Sequence, residues 1–224
     1  MIVSIPLSNG NTIGYVATPK NPNGNAVIVL QEWWGLVDHI KDICDRFAAV
    51  GFVALAPDLY NGVSAKSPDE AGKLMMALSI SDADKTIKAA IEFVLKHESV
   101  TTSTVGIVGF CMGGQLAVYS ACTNPNLISA CVNFYGIHPS VTPDYSKLQA
   151  TLLGFFAELD SSVPPEKVNA LASTLQDLKK EYTFKIFEDT KHAFFNDTRP
   201  EVYNKEASEE CWDKMIQLFT NKIN

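Results

Sequence analysis

Val108-Gly109-Phe110-Cys111-Met112-Gly113-Gly114 reads as the end of a strand, a very sharp turn and the start of a helix, with no loop residues between. Such an abrupt reversal forces its central residue into a strained backbone conformation and crowds the residues two positions to either side. Only very small residues fit there, which accounts for Gly109 and Gly113. The turn projects the Cys111 sulfur into an open cleft at the carboxyl ends of the strands. At a helix N-terminus the partial positive charge favours thiolate over thiol. The backbone N–H of Met112 is directed at the same spot, where it can receive an oxyanion. Glycine-rich turns after strands also bind phosphate or simply pack. Strand, G-x-C-x-G-G and helix in direct succession favour a nucleophile over both.

The flanking sequence predicts alternating strands and helices. Ile2 to Leu7 and Thr12 to Thr18 alternate in hydropathy around Asn9-Gly10, which predicts an antiparallel hairpin. Ala26 to Gln31 and Phe52 to Ala56 are apolar runs expected of strands covered on both faces. Between them a helix is expected from an Asp38 cap to Val50, with Gly51 ending it. Ser67-Pro68-Asp69-Glu70 opens a helix to about Ser79, and Ser81-Asp82-Ala83-Asp84 opens a longer one. Thr104–Phe110, Ala130–Tyr135, Leu152–Phe156 and Tyr182–Phe187 read as strands. Pro164–Lys179 and Glu201–Ile223 read as helices. This order predicts an α/β fold with a mostly parallel sheet, an N-terminal antiparallel hairpin and helices on both faces. No linker, repeat or lid-sized insertion interrupts it, so residues 1–224 are expected to form one domain.

Charge and composition narrow the function. The net charge of −7 opposes a nucleic-acid partner, and no Lys/Arg run marks a membrane-surface patch. No apolar run is long enough to span a bilayer, and Met1–Pro6 lacks the charged and apolar regions of a secretion signal. The five cysteines form neither a CxxC pair nor a zinc pattern, so a reduced cytoplasmic setting is expected, with four of them as small buried hydrophobes. Nothing requires a metal or an organic cofactor. A monomer and a homodimer are equally compatible with the sequence.

A thiol nucleophile needs a base, and the base needs an orienting carboxylate. Of four histidines, His39 and His97 read as solvated helix residues, and His138 follows a strand where it can line the cleft. His192 lies in Asp189-Thr190-Lys191-His192-Ala193-Phe194-Phe195, after the last strand and before the last helix. Asp160 ends the apolar strand Leu153-Gly154-Phe155-Phe156-Ala157 and enters the turn Ser161-Ser162-Val163-Pro164-Pro165. The order Cys111, Asp160, His192 is that of α/β-hydrolases.

These residues resemble the dienelactone hydrolase family, cysteine hydrolases of the α/β-hydrolase fold without a separate lid domain. The resemblance rests on Gln31-Glu32-Trp33-Trp34-Gly35, Ala56-Pro57-Asp58-Leu59-Tyr60, Gly109 to Gly114, Glu158-Leu159-Asp160 and His192-Ala193-Phe194, in that order along nearly the whole chain. It implies a hydrolase of small activated esters or lactones. It also implies that Glu32 holds the resting thiol protonated until substrate arrives, and that the Trp33 amide joins Met112 as a second oxyanion donor. In the family, arginines bind the substrate carboxylate, one of them four residues after the histidine. Here that position is Asn196, and the segment after Tyr60 carries Lys66 and Lys73 but no arginine. Arg199, one of only two arginines, is the nearby candidate; Arg46 belongs to a helix face. Trp34, Tyr60, His138, Phe194, Asn196 and Arg199 are the expected pocket residues. Two other readings of Cys111 remain open at this point: a redox-reactive thiol, and a binding module that kept the fold without catalysis.

Overall fold

The computed structural model describes residues 1–8, 10–139 and 141–224. Eight strands form one sheet: β1 (Ile2–Leu7), β2 (Gly10–Ala17), β3 (Ala26–Leu30), β4 (Val53–Pro57), β5 (Val105–Phe110), β6 (Ile128–Phe134), β7 (Thr151–Ala157) and β8 (Tyr182–Phe187). Their spatial order is β1-β2-β4-β3-β5-β6-β7-β8. The pairings of β2 with β1 and with β4 are antiparallel, and all others are parallel. The hairpin closes as expected, although Asn9 itself lies outside the described residues.

Among the described residues the α-helices are α1 (Asp38–Ala49), α2 (Pro68–Ala77), α3 (Ile80–Val94), α4 (Met112–Thr123), α5 (Pro165–Asp177) and α6 (Lys205–Lys222). Strands buried on both faces alternate their side chains between two cores. Ile28 and Leu30 of β3 meet α3 and α4 on one side, while Val27 and Val29 meet α1 and α6 on the other. This is the α/β-hydrolase arrangement expected from the sequence.

Four local expectations are corrected. Asp38 is the first helical residue rather than the cap of α1; Val37 holds the cap position, and the Asp38 carboxylate instead accepts a hydrogen bond from Lys41 Nζ at 2.8 Å. Helix α3 begins earlier than Ser81, because the Ser79 side chain accepts from the Asp82 amide and caps it. His39 is buried rather than solvated. The inner stripe of α1 is His39, Ile40, Ile43, Cys44 and Phe47, and the imidazole Nδ1 lies 3.3 Å from Asp197 Oδ1. His97 is half-buried, its Nδ1 accepting from the Ser99 amide at 3.1 Å.

The sheet places the candidate residues. Strands β3 and β5 are neighbours, yet the chain leaves β3 toward one edge and β5 toward the other. A crevice opens beyond the carboxyl ends at such a switch point. Glu32 and Trp33 follow β3 there, and Cys111 follows β5.

Candidate active site

The site is built around the reversal at Cys111. Its φ of 55° and ψ of −118° lie where non-glycine residues are costly, and the strain is held by neighbours. The Cys111 amide donates to Phe134 O at 3.0 Å, and Gly114 N donates back to Cys111 O at 3.0 Å. A Cβ on Gly109 would strike the Gly113 carbonyl, and one on Gly113 would strike the carbonyls of Leu30 and Gln31. Strand and helix pack this closely only because both positions are bare. Cys111 is half-buried, whereas Cys44, Cys122, Cys131 and Cys211 are sealed in the core.

A cavity of about 320 Å³ opens at the sulfur. Cys111, His192, Trp33, Met112, His138 and Arg199 are in its wall. His192 Nδ1 lies 2.6 Å from Asp160 Oδ2. Asp160 Oδ1 accepts the amides of Ser162 at 2.8 Å and Val163 at 3.0 Å, so both carboxylate oxygens are engaged. Burial by itself disfavours the charged carboxylate, but the His192 contact and the two amides outweigh it and hold Asp160 below the ordinary carboxylate range. Burial likewise disfavours a charged His192. The hydrogen bond to Asp160, the nearby Cys111 sulfur and the charges of both raise it to about 10. With Nδ1 on Asp160, Nε2 is the ring nitrogen left for the sulfur.

Among the described residues, neither the Trp33 nor the Met112 amide donates to a protein acceptor. Glu32 is 2 % exposed, and its Oε2 accepts from Asn196 Nδ2 at 3.0 Å. Asn196 is fixed in that orientation because its Oδ1 accepts from both Thr198 N (3.1 Å) and Thr198 Oγ1 (2.6 Å). Asn196 therefore stands behind Glu32 and not in the cavity wall. Phe194 is also displaced from the expected pocket; it is fully buried in the core. Trp34 packs edge-on against Trp33 at 5.2 Å, and Tyr60 lines a separate groove while donating to Met112 Sδ at 3.4 Å. Arg199 does reach the cavity, with its Nε and Nη2 held by Glu201 Oε1 at 2.9 and 2.8 Å.

Beneath the cavity the strand ends and the loop after β8 meet in a layer of aromatic rings. Phe110 stacks on Phe134 at 4.7 Å and on Phe195 at 5.4 Å, and Tyr135 lies 4.9 Å from the His192 ring. Sequence reading missed Met75, Tyr135, Ile137 and Val163 in the cavity wall. None carries a motif. They converge only because α2 and the β6 and β7 ends meet over the sulfur.

An eight-stranded sheet with this order, a strained cysteine at the β5–α4 turn and a histidine–aspartate contact from the segments after β8 and β7 define an α/β-hydrolase. The dienelactone hydrolase family model matches residues 13–223, and the chain belongs to that family. A provisionally named carboxymethylenebutenolidase of Aquifex aeolicus is 37 % identical over 212 residues, spanning 92 % of this chain and 91 % of the relative. Another, from Saccharolobus solfataricus, is 34 % identical over 246 residues, spanning 94 % and 93 %. The crystal structure of a provisionally assigned dienelactone hydrolase from Klebsiella pneumoniae matches with a TM-score of 0.88 at 28 % identity, over 98 % of this chain and 99 % of its own.

Proposed function

We propose that this protein is a carboxylic ester hydrolase that cleaves small activated esters or lactones, with Cys111 as nucleophile, His192 as proton carrier and Asp160 as the anchor of the imidazole. The observation that carries this reading is the 2.6 Å His192–Asp160 contact on the cavity that Cys111 opens into. A binding module has no need of that pair.

The Cys111 thiolate attacks the substrate carbonyl carbon, and the carbonyl π electrons move to oxygen. The Trp33 and Met112 amides receive the oxyanion; a donor of this kind lowers the barrier by roughly 3–4 kcal/mol. The carbon–oxygen bond to the leaving group then breaks, and that oxygen takes its proton from His192, leaving a thioester on Cys111. Water next gives a proton to His192 Nε2 as its oxygen attacks the thioester. The carbon–sulfur bond breaks, and the acid departs with the thiolate restored. A thiolate leaves more readily than an alkoxide, so intermediates with poor alcohol leaving groups return to substrate. Aryl, enol and lactone esters are therefore preferred over alkyl esters and amides.

Glu32 serves as a gate, its buried carboxylate opposing a neighbouring thiolate until substrate arrives. The relatives' names suggest a lactone that carries a carboxylate, and Arg199 is the cation on the cavity wall able to meet one. Turnover of p-nitrophenyl acetate, abolished in Cys111→Ala and His192→Ala, is the expected result. Comparable rates on ethyl and p-nitrophenyl esters of one acid would contradict the thioester route.

A further inference from the structure

The Tyr135 hydroxyl is fully buried and, among the described residues, has no hydrogen-bond partner. An orphaned buried donor destabilises the fold, and folded proteins carry few of them. Tyr135 is also one of the few non-glycine residues at positive φ, at 44°. A bulky side chain is unfavourable there unless its surroundings impose it.

The surroundings do impose it. The Tyr135 amide donates to Phe155 O at 2.8 Å. The buried side chain of Asn133 then clamps the turn, donating to Gly136 O at 2.8 Å and accepting from Gly136 N at 2.9 Å. A Cβ on Gly136 would come within 2.5 Å of Cys111 O, so this turn backs directly onto the nucleophile's own turn. Two strained residues, one of them the nucleophile, are thus locked back to back. Packing alone would be served as well by phenylalanine, which would remove the orphaned donor.

Tyr135 and Cys111 share the wall of one cavity, and we infer that the Tyr135 hydroxyl is a further catalytic group, the donor that answers the negative charge formed at Cys111 during turnover. Such a group is unsatisfied in the ground state and satisfied when charge develops, which is the condition for lowering a barrier. Burial, followed by the charges of Glu32 and Cys111, keeps the phenol protonated well above its ordinary range, so it can only donate to that charge. The other titratable groups bearing on the pair are His192 with Asp160, Arg199, Tyr60 and Cys211. None of them supplies the phenol with an acceptor.

The inference rests on Cys111 being the nucleophile, and its test is separable from ester turnover. Tyr135→Phe is expected to fold with an unchanged or higher Tm. It should lower kcat on p-nitrophenyl acetate about 10- to 100-fold, the scale of a hydrogen bond to a charged group. The pH profile of alkylation by iodoacetamide, which reads Cys111 because the other cysteines are sealed, should move to higher pH. A variant with the wild-type kcat and the wild-type alkylation profile overturns the inference, whatever its stability. Wild-type protein without esterase activity, but with an alkylation profile that shifts in Tyr135→Phe, would overturn the proposed reaction and leave this role standing.

Discussion

Asp160→Asn tests the proposed proton carrier most directly, because the structure dictates how the new amide must sit. Oδ1 of Asp160 accepts two backbone amides, from Ser162 and Val163, while Oδ2 meets His192. An asparagine keeps the first pair only by placing its carbonyl oxygen where Oδ1 is. Its NH2 group then faces His192 Nδ1, which must become an acceptor. The ring proton moves to Nε2, and the nitrogen meant to take a proton already holds one. Triad hydrolases with this change lose about 10⁴-fold in kcat, or roughly 5 kcal/mol of barrier at 1.36 kcal/mol per decade. The fold loses less, about 1.5–3 kcal/mol for one charge-assisted hydrogen bond. Steady-state hydrolysis of p-nitrophenyl acetate and thermal unfolding measure the two effects separately. A kcat within tenfold of wild type, in a protein that melts cooperatively, would refute the assignment of His192 and Asp160.

Three further outcomes follow from the geometry. His192 is raised from about 6.5 to about 10 in the folded state, so its stabilising contribution is complete below its unfolded value and is lost as pH rises toward 10. The Tm advantage of wild type over His192→Gln should accordingly shrink across that interval; a constant difference would contradict it. Asn196→Ala removes the hydrogen bond that Asn196 gives to buried Glu32 and should cost about 1.5–3 kcal/mol by denaturant titration. Asn196→Asp sets a second carboxylate against the first, so it should be worse than Asn196→Ala. Gly109→Ala drives a methyl group into the Gly113 carbonyl, and it should yield protein with lowered Tm and no esterase activity.

Much of the fold was readable because its cues are local. The uninterrupted apolar runs of β3, β4 and β5 announce a sheet covered on both faces. Gly109 and Gly113 announce a reversal that no larger residue permits. Asp160 and His192 were found by their place in the strand order, and the structure brings their side chains together. What escaped depends on contacts distant in sequence. Nothing near Tyr135 indicates that Asn133 will clamp its turn against that of Cys111. Asn196 lies 164 residues from Glu32, so its position after the histidine suggests a cavity residue although it serves as a brace. His39 was misread because a single polar residue at a helix start resembles a surface residue until the whole inner stripe of α1 is laid out.

The stacked rings under the cavity divide the site into an unyielding half and a pliable one. Phe110, Phe134 and Phe195 tie three chain segments together in a packed layer, so a new ligand shape cannot be accommodated by sinking the floor. The outer rim is made differently: Met75 contributes an unbranched thioether, and Arg199 a long chain held by nearby Glu201. Room for a differently shaped ligand is therefore to be made in helix α2 and in the segment around Arg199, while the strand ends stay fixed.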